Sequence, residues 1–132
     1  MFMIKSNGGS GTVKQCTFSN FIGHKNAYSL NIDGHWTQLK LQAGDGVYYQ
    51  DLNFTNWKGS CADGVRRGPI NVICPDGAPC HGINIENFAI WTESGSREVY
   101  KCANAYGAGG CLRPGQSYST YSVSTTTLAA TP

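Results

Sequence analysis

At 132 residues, with 40% apolar and 14% charged side chains, the chain has the composition of one folded domain rather than of a disordered segment. Ten basic residues against eight acidic ones leave a formal net charge of +2 with no run of like charge. That excludes the extended basic surface of a nucleic-acid binder and the polybasic patch of a membrane-surface protein, and no apolar run approaches the ~18 residues of a membrane-spanning helix.

The opening stretch, MFMIKSNGGSG, sets Met3, Ile4 and Lys5 before a flexible Asn7-Gly8-Gly9. It has no basic n-region, no apolar h-region and no small-residue cleavage site, so it does not read as a signal peptide. Six cysteines and the sequon Asn53-Phe54-Thr55 nevertheless point to the oxidising, glycosylating secretory route. The expectation is a secreted, extracellular protein glycosylated at Asn53, whose signal lies upstream of this sequence.

Further along, QCTFSNF from Gln15, DLNFTNW from Asp51 and GINIENF from Gly82 share one pattern of apolar, any, apolar, any, Asn, aromatic. Their asparagines, Asn20, Asn56 and Asn87, are spaced in the range of stacked structural repeats. Within each copy the apolar positions alternate as Cys16/Phe18, Leu52/Phe54 and Ile83/Ile85, the period of a strand with one buried face. Between the copies lie further β-type runs, AYSLNID (27–33), GVYY (46–49) and PINVIC (69–74), bounded by Gly, Asp and Asn, and helical periodicity is lacking. Parallel strands without helical crossovers require a chain that coils, each turn laying a strand on the last. The sequence therefore predicts an all-β solenoid with Phe18, Phe54 and Ile85 in one buried column. Asn tolerates the left-handed conformation of a tight corner and its amide can bond the equivalent amides one coil away, so Asn20, Asn56 and Asn87 are expected to form a ladder.

The loops CPDGAPC (Cys74 to Cys80) and CANAYGAGGC (Cys102 to Cys111) read as local disulfide staples, although six cysteines permit 15 pairings. A zinc site is the competing reading, but the Cys-x2-Cys knuckles are absent and His24, His35 and His81 are not spaced with the cysteines. No metal and no cofactor is expected. Cys16, at a strand-interior position, is expected buried and free, and Cys61, in KGSCADG, is expected in a loop. Residues 116–132 read as a Ser/Thr-rich tail after coils spanning 1–115, with SYSVSTTTL leaving room for one last strand and its composition for O-glycans.

Catalysis on a sugar bond would need two carboxylates facing the scissile linkage. The acidic residues lie mostly in turns, and Asp33, Asp45 and Asp76 each precede Gly as turn residues do. No nucleophile elbow or family-type Cys signature is present. His81-Gly82 reads as the start of a strand and Asp45 as a turn, so no catalytic residue is assigned. Tyr28, Tyr48, Tyr49, Trp57 and Trp91 read as core or ladder aromatics.

Taken together, MIKSNGGSGTV, AYSLNIDGHW, NWKGS, CPDGAPC, IWTESGS and YKCANAYGAGGC resemble fungal rhamnogalacturonan hydrolases of glycoside hydrolase family 28, the family that also holds the polygalacturonases. The resemblance covers positions 1 to about 115. It implies a right-handed parallel β-helix, here the C-terminal coils of one. It implies an inverting endo-hydrolase of galacturonate–rhamnose bonds in a pectic polysaccharide, monomeric when full length. The family carries an Arg-Ile-Lys segment in its cleft, after three catalytic aspartates and a Gly-His-Gly. The matching stretch here is Met3-Ile4-Lys5, so Lys5 takes the place of the Lys that can pair with a galacturonate carboxylate. Met3 departs from the Arg, which removes a bidentate anion clamp and favours a backbone in which uronates alternate with neutral rhamnose. His35 and Trp36 stand where polygalacturonases place a cleft aromatic. On this reading the aspartates lie upstream and the fragment alone is inactive. A polygalacturonase and a non-catalytic polysaccharide-binding module are the alternatives. A calcium-dependent lyase of similar fold would need clustered carboxylates, which are not found.

Overall fold

The structure, a computed structural model, describes residues 1–62, 66–95, 97–115 and 119–128. Nine strands follow in order: β1 (Phe2–Lys5), β2 (Thr12–Asn26), β3 (Leu30–Asp33), β4 (Tyr48–Cys61), β5 (Ile70–Ile73), β6 (Cys80–Thr92), β7 (Glu98–Ala103), β8 (Ala105–Ala108) and β9 (Ser124–Leu128). No helix occurs among the described residues. One sheet has the order β1-β3-β5-β7-β9 and the other β2-β4-β6-β8. Odd and even strands alternate between the sheets, and every pairing except β7 with β9 is parallel. The chain therefore climbs one coil per odd–even pair, and the fold is a parallel β-helix, as expected.

Strands as long as β2, β4 and β6 fit into so narrow a coil because left-handed residues bend them. Gln15, Asp51 and Gly82 have φ of 56°, 54° and 68°, and Asn20, Asn56 and Asn87 have φ of 64°, 58° and 50°. At each bend the inward phase steps by three residues instead of two. In β4 the buried side chains are accordingly Tyr49, then Leu52 and Phe54, then Trp57. Asn serves the second bend because it adopts this conformation at little cost and its amide has partners in the next coil. Asn56 donates to Asn20 Oδ1 at 3.3 Å, and Asn87 donates to Asn56 Oδ1 at 2.6 Å.

Phe18 pairs with Phe54, and Phe54 with Ile85, in ladder register. The two rings stack with centroids 5.3 Å apart and an interplanar angle of 11°. The column is thus the one expected in register, with Phe54 and Ile85 buried and Phe18, on the edge strand, half-buried. Two further ladders escaped the sequence pattern: Asn84 donates to Asn53 Oδ1 at 2.9 Å, and Asn71 donates to Asn31 Oδ1 at 2.8 Å. The sequon residue Asn53 therefore lies mid-strand in β4, half-buried, with its oxygen engaged by the next coil.

Disulfides join Cys74 to Cys80 and Cys102 to Cys111, the two local pairs expected. Neither bridge includes Cys16 or Cys61. Two expectations need correction. Cys16 is half-buried rather than buried, because β2 is the outermost strand of its sheet and the core covers it from one side only. Cys61 is no loop residue: β4 continues past the Asn56 bend and ends on it, fully buried in register with Thr92. His81 is the second residue of β6, at the start of that strand, with its Nε2 against the Tyr48 hydroxyl. The final strand, β9, forms within the Ser/Thr-rich stretch and pairs antiparallel with β7. Ahead of it, Tyr121 donates its hydroxyl to Ala105 O at 2.6 Å and its backbone N–H to Asn104 Oδ1 at 2.8 Å, pinning the segment to the coil.

Candidate functional site

In the odd-numbered sheet alternate side chains face inward and outward. Leu30, Ile32, Ile70 and Val72 enter the core. The register sets Met3, Asn31, Asn71 and Lys101 in one row across β1, β3, β5 and β7, and Lys5, Asp33, Ile73 and Ala103 in the next. Neither row falls on the inward phase, so together they form the outer face, in which Lys5, Asn31, Asp33, Asn71 and Lys101 stand beside the apolar Met3, Ile73 and Ala103.

Residues 34–47 leave β3 through a tight turn. Asp33 Oδ1 accepts the His35 backbone N–H at 2.8 Å, and Trp36 donates its backbone N–H to Ser6 O at 2.9 Å. Gly34 is required here, since a Cβ would stand 2.6 Å from Pro75 Cδ. The turn swings the Trp36 ring over the outer face, where Lys5 Nζ lies 5.1 Å from its centroid. Tyr28, just before β3, meets Trp36 edge-on with centroids 6.3 Å apart, and Arg67, just before β5, places its guanidinium 4.8 Å from the Tyr28 ring centre. A cation over an aromatic face gains roughly 0.5–1 kcal/mol at exposed sites, enough to bias the orientation of a long side chain.

These elements enclose an open groove of about 380 Å³. Its aromatic wall is Tyr28 and Trp36, its floor includes Asn31 and Asn71, and its cations are Arg66, Arg67 and Lys101. Among the described residues Asp33 is the one carboxylate that lines it, and Asp33 already accepts the turn N–H. No group of three or more His, Cys, Asp or Glu suited to a metal ion occurs among the described residues. Among the described residues the groove thus sets cations beside aromatic rings, a lining suited to a polar anionic ligand, and does not set an acid and a base facing one another.

Of the three residues picked out in the sequence, the structure brings Lys5 and Trp36 together. His35 is exposed and does not line this groove; it lines two smaller depressions, one with Asp33, Trp36 and Gln38 beside the groove and one with Asp76 and Tyr121. Tyr28 departs from expectation, because it walls the groove instead of packing in the core, its position falling before β3 begins and so outside that strand's inward phase. Tyr49 and Trp57 are buried as expected, whereas Tyr48 and Trp91 are half-buried. Sequence reasoning missed Asn31, Asn71, Arg67 and Lys101. The pairing of Asn31 with Asn71 could have been found by aligning AYSLNID with PINVIC, whose Asn follows the same apolar position.

The sequence profile of the family described as Glycosyl hydrolases family 28 matches residues 2–111. The chain belongs to glycosyl hydrolase family 28. Within that family it is 54% identical over 132 residues to the probable rhamnogalacturonase B of Aspergillus fumigatus, a match to all of this chain and 25% of that protein. It is 53% identical over 130 residues to the rhamnogalacturonase A of Aspergillus aculeatus, 98% of this chain against 30% of that protein. The probable rhamnogalacturonase A of Aspergillus niger is 52% identical over 130 residues. The chain spans between 25% and 30% of the length of these family 28 relatives.

Proposed function

We propose that this chain forms the C-terminal coils of a secreted family 28 hydrolase that cuts galacturonate–rhamnose bonds in rhamnogalacturonan, and that its outer sheet face holds the substrate. The observation that carries the reading is the Lys5 ammonium poised over the Trp36 ring beside an aromatic-walled, cationic groove. An indole face stacks on the C–H face of a pyranose, and an ammonium beside it pairs with the carboxylate of that sugar, a charge-assisted contact about twice as strong as a neutral hydrogen bond. The names of the relatives agree with a pectic substrate. Met3, where the family pattern has Arg, leaves Lys5 as a point charge without a bidentate neighbour, which suits uronates spaced by neutral sugars.

Inverting hydrolysis needs an acid and a base about 6.5–9.5 Å apart with a water between base and sugar. Among the described residues the groove offers Asp33 alone, so in this reading the acid and base come from the remainder of a longer protein, and the coils described here bind and orient. His35, at the rim of the turn that carries Trp36, would meet the polysaccharide only outside the groove. Asn53, on β4 in the other sheet, is the proposed glycan acceptor.

The test is retention of the purified chain on immobilised rhamnogalacturonan, homogalacturonan and neutral galactan, with reducing ends measured in parallel. The expected result is preferential retention on rhamnogalacturonan and no release of reducing ends. Release above blank would overturn the division of labour, and preference for homogalacturonan would replace the substrate.

A further inference from the structure

The end of the groove away from Lys5 has its own chemistry. Arg67 is held against the Tyr28 ring, which leaves the N–H edges of its guanidinium for a ligand. Lys101, from β7, lines the same end. Beneath them Asn71 gives its amide to Asn31 Oδ1, and Asn31, only 4% exposed, keeps an Nδ2 group with no hydrogen-bond acceptor. A buried donor without an acceptor is unfavourable, so the floor is built one acceptor short. Among the described residues that line the groove the one carboxylate, Asp33, is occupied by the His35 N–H.

We propose that Arg67 and Lys101, above the Asn31–Asn71 floor, form a second carboxylate subsite, which takes a uronate sugar of the same polysaccharide at a distance from Lys5. An acceptor brought down between Arg67 and Lys101 pairs with both cations directly above Asn71, whose amide is tied to Asn31, so both floor amides sense its arrival. Neutral sugars supply no such anion, and a guanidinium stacked on Tyr28 pays little further side-chain entropy on binding. Lys101 lies three ladder steps from β1 and two residues off the Lys5 row. At about 4.8 Å per step and 3.3 Å per residue the two backbone positions are roughly 16 Å apart, a span of several pyranose rings. One chain with recurrent uronates can therefore meet both positions. The polysaccharide assignment rests on the function proposed above, whereas the subsite itself requires only a uronate.

Side-chain amide and indole signals in nitrogen–proton NMR spectra separate the two. Titration with free galacturonate is expected to move the Asn31 and Asn71 amides as well as the Trp36 indole, and galactose to leave the amides in place. In R67Q and in K101Q the amide response should need at least ten-fold more galacturonate while the Trp36 response persists, and R67K should fall between. In K5Q the amide response should be unchanged. Amides that ignore galacturonate, or respond equally to galactose, or respond normally in R67Q, overturn the subsite. If Trp36 alone responds, the subsite falls and the function proposed above stands. If the amides respond but the chain is not retained on rhamnogalacturonan, the subsite stands and the substrate assignment falls.

Discussion

Lys5 Nζ lies 5.1 Å from the centre of the Trp36 ring, a contact between the first strand and the turn after the third that only coiling of the chain can bring about. Both side chains are on the outer face, so their replacement should change binding without changing the fold. W36A is expected to weaken rhamnogalacturonan binding about ten-fold and K5Q by a similar factor, each near 1.4 kcal/mol. W36F should retain part of the affinity, as a smaller ring still stacks. Equilibrium binding with far-ultraviolet circular dichroism as the folding control checks this, and full affinity in W36A would remove the aromatic wall from the account.

Asn56 occupies the middle rung of its ladder, donating to Asn20 and accepting from Asn87 at φ 58°. N56A loses two hydrogen bonds at roughly 1 kcal/mol each and adds about 1 kcal/mol or more of left-handed strain, so a destabilisation near 3 kcal/mol is expected. N56G escapes the strain and should cost about 1 kcal/mol less. Denaturant midpoints of the two variants report the difference directly.

Gly59 and Gly11 make a contrast of context. A Cβ on Gly59 would stand 1.9 Å from Gly23 O, at φ +136°, whereas one on Gly11 meets nothing within 4 Å. G59A is therefore expected to prevent stacking of the β2 and β4 coils and to reduce the soluble yield sharply. G11A should unfold at the wild-type denaturant concentration within about 0.5 kcal/mol.

Glu98 is 2% exposed, its Oε1 has no hydrogen-bond partner, and burial pushes its carboxyl up to about 7. The folded state thus binds the proton more tightly than the unfolded state, whose carboxyl titrates near 4.5. Between those values the folded chain carries the extra proton, so this group makes stability fall as pH rises from about 4.5 to about 7 and then level off. Its contribution is fully present below the lower value. E98Q, neutral throughout, should flatten that part of the profile and be more stable than wild type above pH 7. Denaturant unfolding at a series of pH values reads the slope, and an unchanged slope in E98Q would place its origin elsewhere.

How far the sequence reveals the molecule follows from what a coil must repeat. Phe18, Phe54 and Ile85 were legible because every coil presents the same inward positions, and Asn20, Asn56 and Asn87 because every coil bends at the same place. Asn31 and Asn71 were harder to see, since the long turn after β3 adds residues between them and spoils the regular spacing. Cys61 reads as a loop residue because Gly59 and Ser60 precede it, yet its strand runs on through them. The groove has no local signature at all. Tyr28, Arg67 and Lys101 stand in three different coils, and only the ladder register puts them at one place.

The central claim is that the outer face of the β1-β3-β5-β7 sheet reads the carboxylates of a pectic chain. The most direct measurement compares the affinity of this chain for rhamnogalacturonan oligosaccharides with its affinity for the same oligosaccharides after their galacturonates have been reduced to galactose. The expected result is a loss of at least ten-fold on reduction, diminished when Lys5, Arg67 and Lys101 are replaced together by Gln. Equal affinity for the native and the carboxyl-reduced oligosaccharides would contradict it.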